Sequence, residues 1–142
     1  MLIVGAGGAL RLAFAPDDLV PGVKFRLVQA NVSQADRSRP SLWVQHLEDY
    51  VRLSNEARPA DVTHVVWGEA AIAFFLNIDE PARRVAAMAA PANGMLITGA
   101  DRGVRGETGQ AVYNSLYLVR PDASIAAVYD KTHLVPFGEY TP

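Results

Sequence analysis

The chain has 142 residues, 50% hydrophobic and 20% charged, enough to bury the core of one domain and too apolar for a disordered tail. A net charge of −2 excludes the basic footprint of a nucleic-acid partner. The absence of cysteine excludes disulfides, thiolate metal sites and a thiol nucleophile among these residues.

Met1 to Ala15 reads MLIVGAGGALRLAFA, with Arg11 its one charge. The uninterrupted apolar run, Met1–Leu10, is well short of the ~20 residues that a spanning helix needs. A signal peptide carries its positive charge before the apolar run, and here the charge follows it. The run reads as the clipped end of a membrane helix. The alternatives are a buried first strand or helix, and a signal peptide. Gly5-Ala6-Gly7-Gly8 lacks the third glycine of a dinucleotide loop at the required place. Ala15–Gly22 is a turn-rich linker, so residues 1–22 are set apart from a domain that begins at Val23.

Val23–Ala30 reads as a strand, and polar Asn31–Ser41 as a loop. Leu42–Ala57 has apolar residues at helical spacing, with Ser41 as its N-cap. Val62–Trp67 is a short apolar strand. Glu80–Ala90 is a second helix opening on Asp79 and Pro81. Met95–Gly99 is a strand, and Asp101–Gln110 a Gly-rich charged loop. Val112–Arg120 and Ser124–Tyr129 form a hairpin around Pro121-Asp122-Ala123. The order β-α-β-α-β-β-β predicts an α/β layer with a mixed sheet.

Two constellations carry chemistry. In Val65-Val66-Trp67-Gly68-Glu69 an apolar strand runs straight into a glutamate. A carboxylate at the C-terminal end of such a strand is placed for a cleft, and partial burial would suit it to general-base work. The plain alternative is a strand-end glutamate facing water. Lys131 and Glu139 lie in Lys131-Thr132-His133-Leu134-Val135-Pro136-Phe137-Gly138-Glu139-Tyr140-Thr141-Pro142, where Pro136-Phe137-Gly138 forces a turn that can bring Glu139 back toward the lysine. The plain alternative is a solvated lysine. His46, His64 and His133 are scattered without partners at ligand spacing, so no metal and no cofactor are expected.

The Lys131–Pro142 string resembles the lysine segment of the nitrilase (carbon–nitrogen hydrolase) superfamily, and in wording its membrane branch, the apolipoprotein N-acyltransferases. Trp67-Gly68-Glu69-Ala70-Ala71 is similar to that branch's Trp-Pro-Glu-x-Ala, with Gly68 in place of the proline. Gln29-Ala30-Asn31, Leu96-Ile97-Thr98-Gly99 and Tyr113-Asn114-Ser115 match further segments. Arg37-Ser38 stands where the branch often has Lys-Trp. The resemblance covers Val23–Pro142 and implies a nitrilase-like αββα sandwich of which the first half is present. It implies Glu69 as general base, Lys131 as the cation that stabilises a tetrahedral oxyanion, and Glu139 as a glutamate that orients the lysine. Such a charge is worth on the order of 3 kcal/mol in a dry pocket.

The resemblance further implies a two-step acyl transfer through a cysteine thioester. The donor is a phospholipid and the acceptor the N-terminal amine of an apolipoprotein, on the periplasmic side of the bacterial inner membrane. Because no cysteine is present, the chain is expected to be inactive alone, as a fragment or truncated product. The other readings are a fragment of a nitrilase-like amidohydrolase and a degenerate, non-catalytic binding or structural domain.

Overall fold

A computed structural model describes residues 2–15, 19–106 and 109–135. One five-stranded sheet organises them, in the order β1-β2-β3-β4-β5. The strands are β1 (Phe25–Val28), β2 (His64–Trp67), β3 (Met95–Gly106), β4 (Gly109–Val119) and β5 (Ile125–Asp130). The pairs β1–β2 and β2–β3 are parallel, while β3–β4 and β4–β5 are antiparallel. The mixed α/β sheet expected from the strand–helix order is therefore present.

Alternation along the strands divides the side chains between two faces. Val65 and Trp67, Leu96 and Thr98, and Tyr117 and Val119 are buried on one face. Helices α3 (Trp43–Asn55) and α4 (Glu80–Ala87) pack side by side against it. Ala82, Ala86 and Ala87 turn the small-residue side of α4 inward, which lets the helix approach closely. On α3 the buried residues are Leu47, Tyr50 and Ser54, at i, i+3 and i+7. Trp67 donates through Nε1 to Ser54 Oγ at 2.8 Å, and Ser54 donates to the Tyr50 carbonyl at 2.7 Å. The opposite face carries Phe25, Leu27, Leu116 and Tyr129, all exposed among the described residues.

Helix α4 opens as its sequence predicts. Asp79 accepts from Ala82 N at 3.0 Å, and Pro81 occupies the first turn, where its missing N–H costs nothing. Helix α3 does not use Ser41 as its cap. Ser41 lies inside a 3₁₀ turn, Pro40–Leu42, that feeds directly into the helix, and Trp43 N–H bonds back to Pro40 O. The polar stretch read as a loop also holds a short helix, α2 (Gln34–Arg37), because Ser33 accepts from Asp36 N and bonds the Asp36 carboxylate.

The largest correction concerns Asp101–Gln110. Where described, it is not a loop but the continuation of β3 and the start of β4, paired from Leu96↔Val119 to Gly106↔Gly109. One of its charges, that of Arg102, is paired across strands. Arg102 meets Asp130 of β5, and its guanidinium lies 4.9 Å from the Tyr113 ring centroid.

The N-terminal residues form α1 (Leu2–Phe14), a 13-residue helix. Its described side chains are exposed among the described residues. Among the described residues no helix is long and apolar enough to cross a membrane.

Candidate active site

The site begins where β2 ends. After Trp67 the chain leaves the sheet at Gly68 and Glu69, reverses at Ala70 (φ 47°), and rejoins beside β3 through an Ile72↔Ala100 bridge. Gly99 pins both limbs of this excursion. Its N–H donates to Gly68 O at 3.2 Å, and its carbonyl accepts from Ala71 N at 3.0 Å. Glu69 is thereby held at the carboxyl end of a parallel strand, on a backbone tied to the next strand.

Glu69 and Lys131 meet there. Lys131 Nζ lies 3.0 Å from Glu69 Oε1 across 62 residues of sequence, and Asn114 donates through Nδ2 to the same oxygen at 2.7 Å. Lys131 sits one residue past β5, and its backbone N–H bonds to Asn114 O at 2.9 Å. A single residue of β4 therefore touches both charged groups. The three line a cleft of about 290 Å³ with Trp67, Gly99, Leu116 and Tyr129. A second cleft of about 500 Å³, lined in part by Leu27, Val66 and Arg37, shares Trp67, Gly68 and Glu69 with it.

The side chain of Glu69 is 63% exposed and that of Lys131 30%. The partial burial expected for Glu69 from its place at the strand end is therefore slight among the described residues. An ion pair this exposed stabilises a fold by about 0–1 kcal/mol. Stability alone does not account for Lys131, just past β5, and Asn114, within β4, converging on the carboxylate that follows β2.

Directly behind the pair, on the helix-covered face, lies a second charged group. Arg102 Nε and Nη2 grip Asp130 Oδ1 and Oδ2 at 2.8 and 2.5 Å, and Ser115 Oγ donates to Asp130 Oδ1 at 2.6 Å. The Arg102 guanidinium, and after it the Ser115 hydroxyl, hold the Asp130 carboxyl below the usual carboxylate range. Burial pushes Asp101, next to Arg102, the other way.

Of the three residues singled out from the sequence, Glu69 and Lys131 are brought together, and Glu139 lies outside the described residues. Among the described residues no group of three His, Cys, Asp or Glu is placed to hold a metal ion. Sequence reasoning did not give a site position to Asn114, although the Tyr113-Asn114-Ser115 string was its visible signal. It had no signal for Arg102 with Asp130.

The profile of the carbon–nitrogen hydrolases matches residues 25–142. The chain belongs to the carbon–nitrogen hydrolase family. Among curated relatives, this carbon–nitrogen hydrolase chain is 38% identical to the apolipoprotein N-acyltransferase of Bradyrhizobium diazoefficiens over 95% of its own length and 27% of the relative's. It is 36% identical to that of Rhodopseudomonas palustris, covering 95% of the chain and 27% of the relative. For Allorhizobium ampelinum the figures are 39%, 95% and 26%. The chain thus spans about a quarter of the length of these relatives. The crystal structure of a carbon–nitrogen hydrolase from Helicobacter pylori superposes with a TM-score of 0.57 at 18% identity, covering 83% of this chain and 42% of that one. The fold is nitrilase-like α/β.

Proposed function

We propose that residues 23–142 are the first part of the catalytic domain of an apolipoprotein N-acyltransferase, and that residues 1–22 are the end of a membrane helix and a linker. The whole protein would lie in the bacterial inner membrane with this domain on the periplasmic side. It would move an acyl chain from a phospholipid to the N-terminal amine of an apolipoprotein. The observation that carries this reading is the convergence of Lys131 and Asn114 on one oxygen of Glu69. The names of the relatives and the Lys131–Pro142 wording supply the substrate class.

In this reading Glu69 takes the proton of a cysteine thiol, and the thiolate attacks the ester carbonyl carbon of the phospholipid. Negative charge collects on the carbonyl oxygen, where Lys131 stabilises it. An ammonium has three donors, so it can serve Glu69 and a substrate oxygen together. The C–O bond of the ester then breaks, the lysophospholipid alkoxide recovers the proton, and an acyl thioester remains. The acceptor amine attacks that thioester, the C–S bond breaks, an amide forms, and the amine's surplus proton restores the thiol by way of Glu69. Glu139 orients Lys131. Asn114 holds Glu69 in register with the lysine.

The thiol is not among these 142 residues. It would come from chain beyond them, and these residues alone would be inactive. The same lack of cysteine favours a second reading, a non-catalytic domain that keeps the Glu69–Lys131 geometry. Mass spectrometry after incubation with phospholipid separates the two. A longer natural chain carrying these residues is expected to gain one acyl mass, lost in Glu69→Gln. No adduct on any longer chain would favour the non-catalytic reading, and an adduct on the 142 residues alone would overturn the assignment of the nucleophile.

A further inference from the structure

The site and the Arg102–Asp130 pair lie on the two faces of the sheet at the carboxyl end of β5. Successive residues of a strand point to opposite faces. Asn114 and Lys131 point to the face of Glu69, and their chain neighbours Ser115 and Asp130 point to the helix-covered face. Ser115 and Asp130 are also register partners, the last pair of the β4–β5 ladder before Lys131. Beyond that pair the Lys131 backbone N–H donates to Asn114 O at 2.9 Å. Asp130, the residue directly before Lys131, therefore helps set the direction in which the lysine side chain leaves the sheet.

We infer that Arg102, Asp130 and Ser115 are positioning residues that aim Lys131 at Glu69. The inference rests on the catalytic reading of those two and adds to it a clamp on the far face of the sheet. Three charge-assisted hydrogen bonds from two strands converge on the Asp130 carboxylate. Such bonds are about twice as strong as neutral ones, and the paired Arg–carboxylate fork fixes an angle as well as a distance. Arg102 is itself held over the Tyr113 ring of β4. The clamp thus ties β3, β4 and β5 together one residue before the lysine. A role in folding alone would be met by any pair along these strands; this one sits where the ladder stops. A displacement of about 1 Å at a reacting group can cost on the order of a hundredfold in rate.

The test is acyl transfer by the purified full-length protein, with hydrogen exchange of the Lys131 amide followed in parallel. Asp130→Asn and Arg102→Gln should each lower kcat about tenfold or more and leave KM within about twofold. The double variant should be little worse than either single one, because the two act as a unit. Asp130→Glu should recover part of the rate. In each damaged variant the Lys131 amide should lose protection while the amides of β1 and β2 keep theirs. Two results would overturn the inference: unchanged kcat, or exchange and rate that change only with a global loss of stability. Lys131→Ala with full turnover would instead overturn the catalytic reading, and the exchange result would still decide the clamp.

Discussion

Gly99 and Glu69 are in backbone contact: a Cβ on Gly99 would lie 2.8 Å from Glu69 Cα and 2.6 Å from Ala70 N. No flexible side chain stands between them to give way. The glycine therefore lets the Gly68–Ala70 excursion lie flat on β3, and that excursion carries the carboxylate.

Gly99→Ala should accordingly push Glu69 off Lys131 and Asn114. Overpacking of this kind costs about 1–3 kcal/mol, readable in urea unfolding. Turnover should fall by more than the loss of folded protein explains. A Gly99→Ala protein with normal rate and normal stability would show that the excursion has slack, and that its close approach does not aim Glu69.

The buried Trp67–Ser54–Tyr50 chain makes a separate prediction. Trp67 is 1% exposed and Ser54 0%, so the indole N–H has no water to turn to. Ser54→Ala should destabilise by about 1–3 kcal/mol, the cost of leaving a buried donor unpaired. Adding Trp67→His or another donor should not help. Ser54→Ala with Trp67→Phe should cost less than the sum of the two single changes, since the orphaned donor is gone. Strict additivity in chemical denaturation would argue that the hydrogen bond contributes nothing.

Tyr117 gives a pH prediction. Its hydroxyl sits at 3.4 Å from both Asn77 Oδ1 and the Asp101 carbonyl, on a fully buried side chain. Burial pushes its pKa up to about 12, with Arg102 opposing. An ordinary tyrosine ionises near 10. The folded form therefore resists ionisation that the unfolded chain accepts. The stability this confers is complete below about pH 10 and is lost as pH rises through about 12. Ultraviolet titration of the phenolate, compared with Tyr117→Phe, should show one late-ionising tyrosine that disappears in the variant. A difference spectrum with its midpoint near 10 would contradict this.

How much of this was legible in the sequence follows from how local each signal is. Glu69 could be read because an apolar run meets a carboxylate within five residues, and Lys131 because it opens a distinctive string. The ends of α4 could be read because Asp79 and Pro81 act on neighbouring atoms. The extension of β3 could not. Gly103, Gly106 and the charges of Asp101–Arg105 carry the composition of a loop, and the partners that make them a strand lie on β4 and β5. Asp130 is 28 residues from Arg102, and nothing in either neighbourhood announces the other. Ser54 looks like a surface residue of a helix until Trp67 is known to stand over it. Ser41 fits the composition rule for a cap, yet Pro40 had already started a turn one residue earlier.

The last prediction separates a catalytic lysine from a structural one. Lys131 Nζ reaches Glu69 Oε1, the oxygen to which Asn114 Nδ2 also donates. A compact ammonium can approach one such atom closely and still point a second donor at a substrate oxygen. A guanidinium is planar and broad, and its fork prefers both oxygens of a carboxylate, where Asn114 stands in the way. If Lys131 only balanced the charge of Glu69, Lys131→Arg would keep most of the activity. If it stabilises an oxyanion, Lys131→Arg should be nearly as damaging as Lys131→Ala, with each losing about a hundredfold or more in turnover. Glu69→Gln should be comparably harmful, since an amide cannot take the thiol proton. Stability should hardly change, because a pair this exposed contributes at most about 1 kcal/mol. The measurement is acyl transfer to a lipopeptide by each purified full-length variant, with folding checked by circular dichroism. Near-normal turnover in Lys131→Arg would make the lysine a partner of Glu69 and nothing more.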